Sequence, residues 1–167
     1  MSVLDASRAL LAPWKKITIG GKSKADLLAG LVYHRFLFDD NVRFLLEKTE
    51  MATLPYPVEV ALAGVEIRQL GFEKAPTAPE VWGRIPEAGY RVLPLEAGFH
   101  LRFQLGLYEQ ENQGSLLVAT ERFKNVQGRL QALELFRDEH ECGIAGCRIT
   151  DDFIWPLGKK IVVGCGG

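Results

Sequence analysis

Glu96, His100, Arg102 and Gln104 set a carboxylate, an imidazole, a guanidinium and a carboxamide close together in the chain. The planar fork of Arg102 can hold a carboxylate or a phosphate, and the imidazole of His100 can exchange a proton near neutral pH with Glu96 just upstream. From His100 onward polar and apolar residues alternate, which predicts a strand over 99–107 with Leu101, Phe103 and Leu105 turned inward and His100, Arg102 and Gln104 outward. Such a polar side can floor a site for a protein segment or a small anionic ligand, with Phe153 and Trp155 as a stacking surface. The rival account makes Glu96 and Arg102 a structural ion pair. An enzyme reading, a hydrolase or transferase working through His100 and a carboxylate such as Glu96, needs these groups in a concave pocket.

Other reactive side chains offer less. His140, Cys142, Cys147 and Cys165 are four soft ligands, the number a tetrahedral zinc site takes, and a zinc-stabilised interaction domain is the reading they allow. Their spacing matches no common zinc module, and small apolar cysteines at strand ends account for them equally well. A nucleophile pair of Cys142 or Cys147 with His100 rests on residue type alone. Gly20-Gly21-Lys22-Ser23, between a short strand and a helix, is like the end of a phosphate-binding loop, but Lys16 stands where that loop needs a further glycine. A turn and a helix cap remain, with solvated lysines around them. The closing Gly164-Cys165-Gly166-Gly167 reads as a tail, and Asp39-Asp40 and Asp151-Asp152 read as caps and turns. No cofactor is implied.

Composition narrows the class. The chain has 167 residues, 47% of them hydrophobic, which is enough for one sizeable core and predicts a single α+β domain over 1–167. With 20 basic against 21 acidic residues there is no overall field to draw nucleic acid or an anionic membrane. The longest apolar runs fall well short of the roughly 20 residues a spanning helix requires. Three cysteines, an odd number, and a start without a secretory pattern favour a reducing cytoplasm.

The elements that must position these residues follow from pattern and punctuation. A short helix is predicted over 3–11, a strand over 16–19, and a helix over 24–38 behind the Ser23 cap, with Leu27, Leu28, Leu31, Val32 and Phe36 inward. Asp39 and Asp40 open a second helix over 42–48, and Val58, Val60 and Leu62 alternate as a strand that Val65 and Ile67 extend. Thr77 with Glu80 caps a helix that Pro86 ends near Gly89. Further strands are predicted over 115–123, 130–137, 147–150 or slightly earlier, and 160–163. The expected architecture is a helix-rich part, 1–90, packed on a strand-rich part, 91–167, whose mainly antiparallel sheet forms an open curled sheet or a small barrel.

Two segments carry a resemblance. VEIRQLGF from Val65, and APTAPEVWGRIPEAGYRVLPLEAGFHLRF ending at Phe103, resemble a group of small bacterial proteins of unknown function. There a strand closing in Leu-Gly-Phe leads to a Thr-capped helix, a Cys-Pro or similar dipeptide with a following Glu, and a Leu-Arg-Leu strand. The matching residues are Leu70-Gly71-Phe72, Thr77 with Glu80, Pro94 with Glu96, and Leu101-Arg102-Phe103. ITIGGKSKADLL from Ile17 resembles the start of those proteins. Leu93 stands near the cysteine position, which removes thiol chemistry there. The resemblance implies a bacterial source and a cytoplasmic setting. The expectation is a non-enzymatic accessory or binding protein using Glu96, His100, Arg102 and Gln104.

Overall fold

The computed structural model describes residues 13–106, 110 and 114–166, and the helix expected over 3–11 lies outside them. Strand β1, Lys15–Ile19, turns Ile17 and Ile19 inward and ends at Gly20 and Gly21, both in the left-handed region. A side chain at Gly20 would be strained by its φ of +89° and would also meet the backbone of Tyr56. Helix α1, Lys24–Tyr33, starts at a reciprocal capping box of Ser23 and Asp26. A two-residue strand β2, Leu37–Phe38, precedes helix α2, Asp40–Lys48, which Asp39 caps by accepting from the Val42 amide.

Strand β3, Val58–Glu66, runs into a 3-10 turn, Ile67–Leu70, and then helix α3, Ala78–Glu87, whose last turn contains Pro86. Strand β4, Tyr90–Arg91, leads to helix α4, Glu96–Gln104. Strands β5, Gly114–Lys124, β6, Leu130–Arg137, β7, Cys142–Arg148, and β8, Lys160–Cys165, complete the elements.

All eight strands join one open mixed sheet in the order β1-β3-β8-β5-β6-β7-β2, with β4 pairing β8 off that path. The pairs β5–β8 and β2–β7 are parallel and the others antiparallel. Period-two alternation sends neighbouring residues to opposite faces. Leu62, Val118, Leu133, Leu135, Ile144 and Val162 meet α1, α2 and α4 on one face. Ala63, Val65, Leu117, Ala119, Ala132, Ile161 and Val163 meet the 3-10 turn and α3 on the other. Both faces of the central strands are therefore buried, which is why β8 reads as a near-continuous apolar run.

Three expectations need correction. The helices are interspersed among the strands rather than gathered in an N-terminal half, and β1 and β3 of the N-terminal part lie in the same sheet as β5 to β8. Of the two sheet forms expected, the open one is found, mainly antiparallel with two parallel pairs. Residues 99–104, expected as strand, belong to α4. From Leu93 to Leu107 there is no β-branched residue, and the run of Leu, Glu, Ala, Phe, His, Arg and Gln is better suited to a helix than to a pleated surface. The helix after Ser23 also stops earlier than expected, at Tyr33, because Arg35 takes a left-handed φ of 59°.

Candidate functional site

A helical period regroups the four residues singled out in the sequence. Glu96, His100 and Gln104 stand at i, i+4 and i+8 and share one stripe of α4, while Arg102 falls on the far side. Each side chain of the stripe is bonded to backbone. Glu96 Oε1 accepts from the Leu54 amide at 2.8 Å, and His100 Nε2 accepts from the Gly20 amide at 3.1 Å. The Gln104 carboxamide takes Thr18 from both sides, accepting its N–H at 2.8 Å and donating to its carbonyl at 2.7 Å. That last pair occupies the open edge of β1, the first strand of the sheet, as a neighbouring strand would.

Glu96 and His100 are 1% and 2% exposed, and Glu96 Oε2 lies 3.6 Å from His100 Nε2 with no hydrogen-bond partner. Because Nε2 accepts from Gly20, it carries a lone pair rather than a proton, so the imidazole is neutral and this is not an ion pair. Burial pulls the His100 pKa down to about 4, with Lys22 adding to the effect. Burial pushes the Glu96 carboxyl above its usual range, against a smaller lowering by the Leu54 amide.

Arg102, 2% exposed, lies over the Phe36 ring with its Cζ 5.2 Å from the centroid. Nη1 alone donates to three neutral acceptors: Gln110 Oε1 at 2.9 Å, the Phe136 carbonyl at 3.3 Å and the Gly143 carbonyl at 3.4 Å. Its buried Nε has no partner. No acidic side chain among the described residues pairs with it, so the expected Glu96–Arg102 ion pair is not formed; Glu96 bonds to Leu54 instead. Burial lowers the Arg102 pKa, with Cys142 opposing and Arg137 adding to the shift, yet a guanidinium stays charged at any ordinary pH. A buried charge left without an opposite charge costs several kcal/mol by order of magnitude. Arg137 and Cys142, paired across β6 and β7, fall on the same face of the sheet as Leu135 and Ile144, beside this guanidinium.

The remaining candidates are dispersed. Cys147 packs into the α3-side core, and burial pushes its thiol up to about 12, while Cys142 faces the α4 side. Among the described residues no group of three His, Cys, Asp or Glu side chains is placed to hold a metal ion. Trp155 is buried at 1% against Trp82 and Phe153 rather than offering a stacking surface. The Gly20-Gly21 turn presents no vacant anion cradle, since Ser23 and Asp26 cap α1 themselves. Gln110 was not foreseen as a partner of Arg102. Its only sequence signal was an amide shortly after the polar run, and its Nε2 donates to the Leu135 carbonyl at 2.9 Å. No helix among the described residues is long and apolar enough to cross a membrane.

No family model, curated protein or solved structure matches this chain.

Proposed function

We propose that this chain is a non-enzymatic binding protein of the bacterial cytoplasm that holds a small carboxylate ligand on the Nε edge of Arg102. The observation that supports the reading is the guanidinium itself: buried, without an acidic partner among the described residues, with every acceptor on Nη1 and none on Nε. The Nε and Nη2 edge of arginine is matched to a carboxylate, which can take two parallel hydrogen bonds there. A monoanion suits so enclosed a place better than a phosphate dianion, whose desolvation costs more. Gln110 and the two carbonyls fixed in β6 and β7 hold the guanidinium through Nη1 and so leave its Nε edge to the ligand. A catalytic role for Glu96 and His100 has less to support it, because both are already engaged by backbone amides.

The test is thermal unfolding and calorimetric titration with benzoate, succinate and inorganic phosphate. A saturable rise in Tm with a carboxylate, absent in Arg102→Met, is expected. The variant itself should lose less stability than three hydrogen bonds would suggest, since an apolar chain of similar volume also removes a buried charge with no acidic partner among the described residues. No carboxylate response in the parent, or an equal response in the variant, would sink the reading.

A further inference from the structure

The stripe on α4 contains one buried group that neither the fold nor the ligand reading uses. Glu96 Oε2 is unpartnered, and its nearest polar neighbour is the His100 Nε2 atom at 3.6 Å. That nitrogen presents a lone pair, because the Gly20 amide donates to it. An ionised Glu96 would therefore turn a buried negative oxygen toward a second electron-rich atom, with no cation between them.

The charged groups around α4 do not relieve this. Lys22, in the turn after β1, acts on His100 and disfavours its charged form. Lys24 on α1 is bonded to the Thr49 carbonyl, and Lys16 on β1 pairs with Glu59 at the surface. Arg137 of β6 and Cys142 of β7 act on Arg102, on the other side of the helix. Lys15 on β1 has partners of its own.

We propose that Glu96 carries a proton in the folded protein at neutral pH, so that α4 is fastened to the Gly20 turn and the segment around Leu54 by a proton-dependent latch. The protonated carboxyl turns its O–H toward the His100 Nε2 lone pair, which it shares with the Gly20 amide, while its carbonyl oxygen accepts from Leu54. Loss of that proton to solvent leaves a carboxylate and one hydronium equivalent; the buried anion, facing the Nε2 lone pair with no cation beside it, moves out to water and gives up the Leu54 amide as it goes. The same segment is held at a second point, where the Gly21 amide donates to the Leu54 carbonyl at 2.9 Å. Releasing Glu96 therefore loosens both strands of the join, next to the half-exposed Leu54 and the exposed Tyr56.

The sign follows from linkage. Burial raises the Glu96 pKa on folding, so this group's contribution is complete below the unfolded carboxyl pKa and is lost as pH rises through the folded value. The latch thus opens on alkalinisation.

The test uses the whole protein with 13C-labelled glutamate side chains, titrated by NMR, together with pH-dependent hydrogen exchange. One carboxyl resonance, absent in Glu96→Gln, should show the protonated shift at pH 7 and move to the carboxylate position only at higher pH. Over the same interval the Leu54 and Gly20 amides should lose at least tenfold in protection relative to Glu96→Gln, whose neutral amide cannot ionise. A fully ionised set of glutamates at pH 7 in the parent overturns the proposal, with no variant needed. Equal loss of protection in parent and variant overturns it as well.

Discussion

On one face of the sheet α3 lies with Ala78, Val81 and Ile85 inward and Pro79, Glu80, Gly83, Pro86 and Glu87 in water; on the other, α4 is buried continuously from Glu96 to Arg102. The two faces place their charges differently. Around α3 the arginines stay at the rim, Arg84 over the Phe72 ring at 4.4 Å and Arg122 over Trp82 at 5.6 Å, each with a carboxylate partner in Glu87 or Asp151. Around α4 the polar groups go inside, and Arg102 goes in without an acid among the described residues. The α3 face is held by apolar contact that tolerates solvent at its edge. The α4 face depends on hydrogen bonds of fixed geometry to backbone far away in sequence, so it is more specific and more easily upset.

Removing the largest buried side chain of α4 should have the greatest effect on this contrast. Phe99→Ala, at a position with 0% exposure, should lower stability in urea unfolding by about 3–5 kcal/mol. A cost near zero would mean that α4 is not the core element its burial implies. Acid should separate the faces next, because the α3-side core contains no buried histidine. A His100 pKa of about 4 in the folded state, below the usual 6.5, gives stability that is complete above the unfolded value and declines as pH falls toward and through the folded one. Between pH 7 and pH 3.5 the loss from this group should approach about 3 kcal/mol, and His100→Gln should remove that part of it. If the variant loses as much over the same range, the acid sensitivity belongs elsewhere. The smallest effect is expected at the rim: Gln104→Leu gives up two hydrogen bonds to Thr18, about 1–2 kcal/mol together. It also bares the edge of β1, so concentration-dependent association by light scattering should increase. An unchanged, monodisperse variant would show that the edge is protected in another way.

The same contrast explains what was legible in the sequence. Helix α3 was readable because only one side of it is apolar and Thr77 with Glu80 marks its start, where the Thr77 amide and hydroxyl both donate to Glu80. Strands β1, β3, β5, β6 and β8 were readable from alternation or apolar runs. Helix α4 was not, since its polar residues lie on two sides of the helix and are mostly buried, and HLRFQL happens to alternate. Two local signals pointed the other way: the absence of β-branched residues and the four-residue spacing of Glu96, His100 and Gln104. The partners of those residues could not be read at all. The bond from Gly20 to His100 spans 80 positions, and that from Thr18 to Gln104 spans 86.

The place of β8 bears on how the molecule comes together. Among the described strands it is synthesised after every other, yet it lies between β3 and β5. Without it the pairings fall into two groups, β1 with β3 and β5 with β6, β7 and β2, each with an unpaired strand edge where β8 lies in the folded sheet. Productive folding must wait for Ile161, Val162 and Val163 to emerge from the ribosome and close that gap. The nascent chain is consequently most exposed to misassembly in the interval between the synthesis of β7 and that of β8, when the strands on either side have been made but the one that joins them has not.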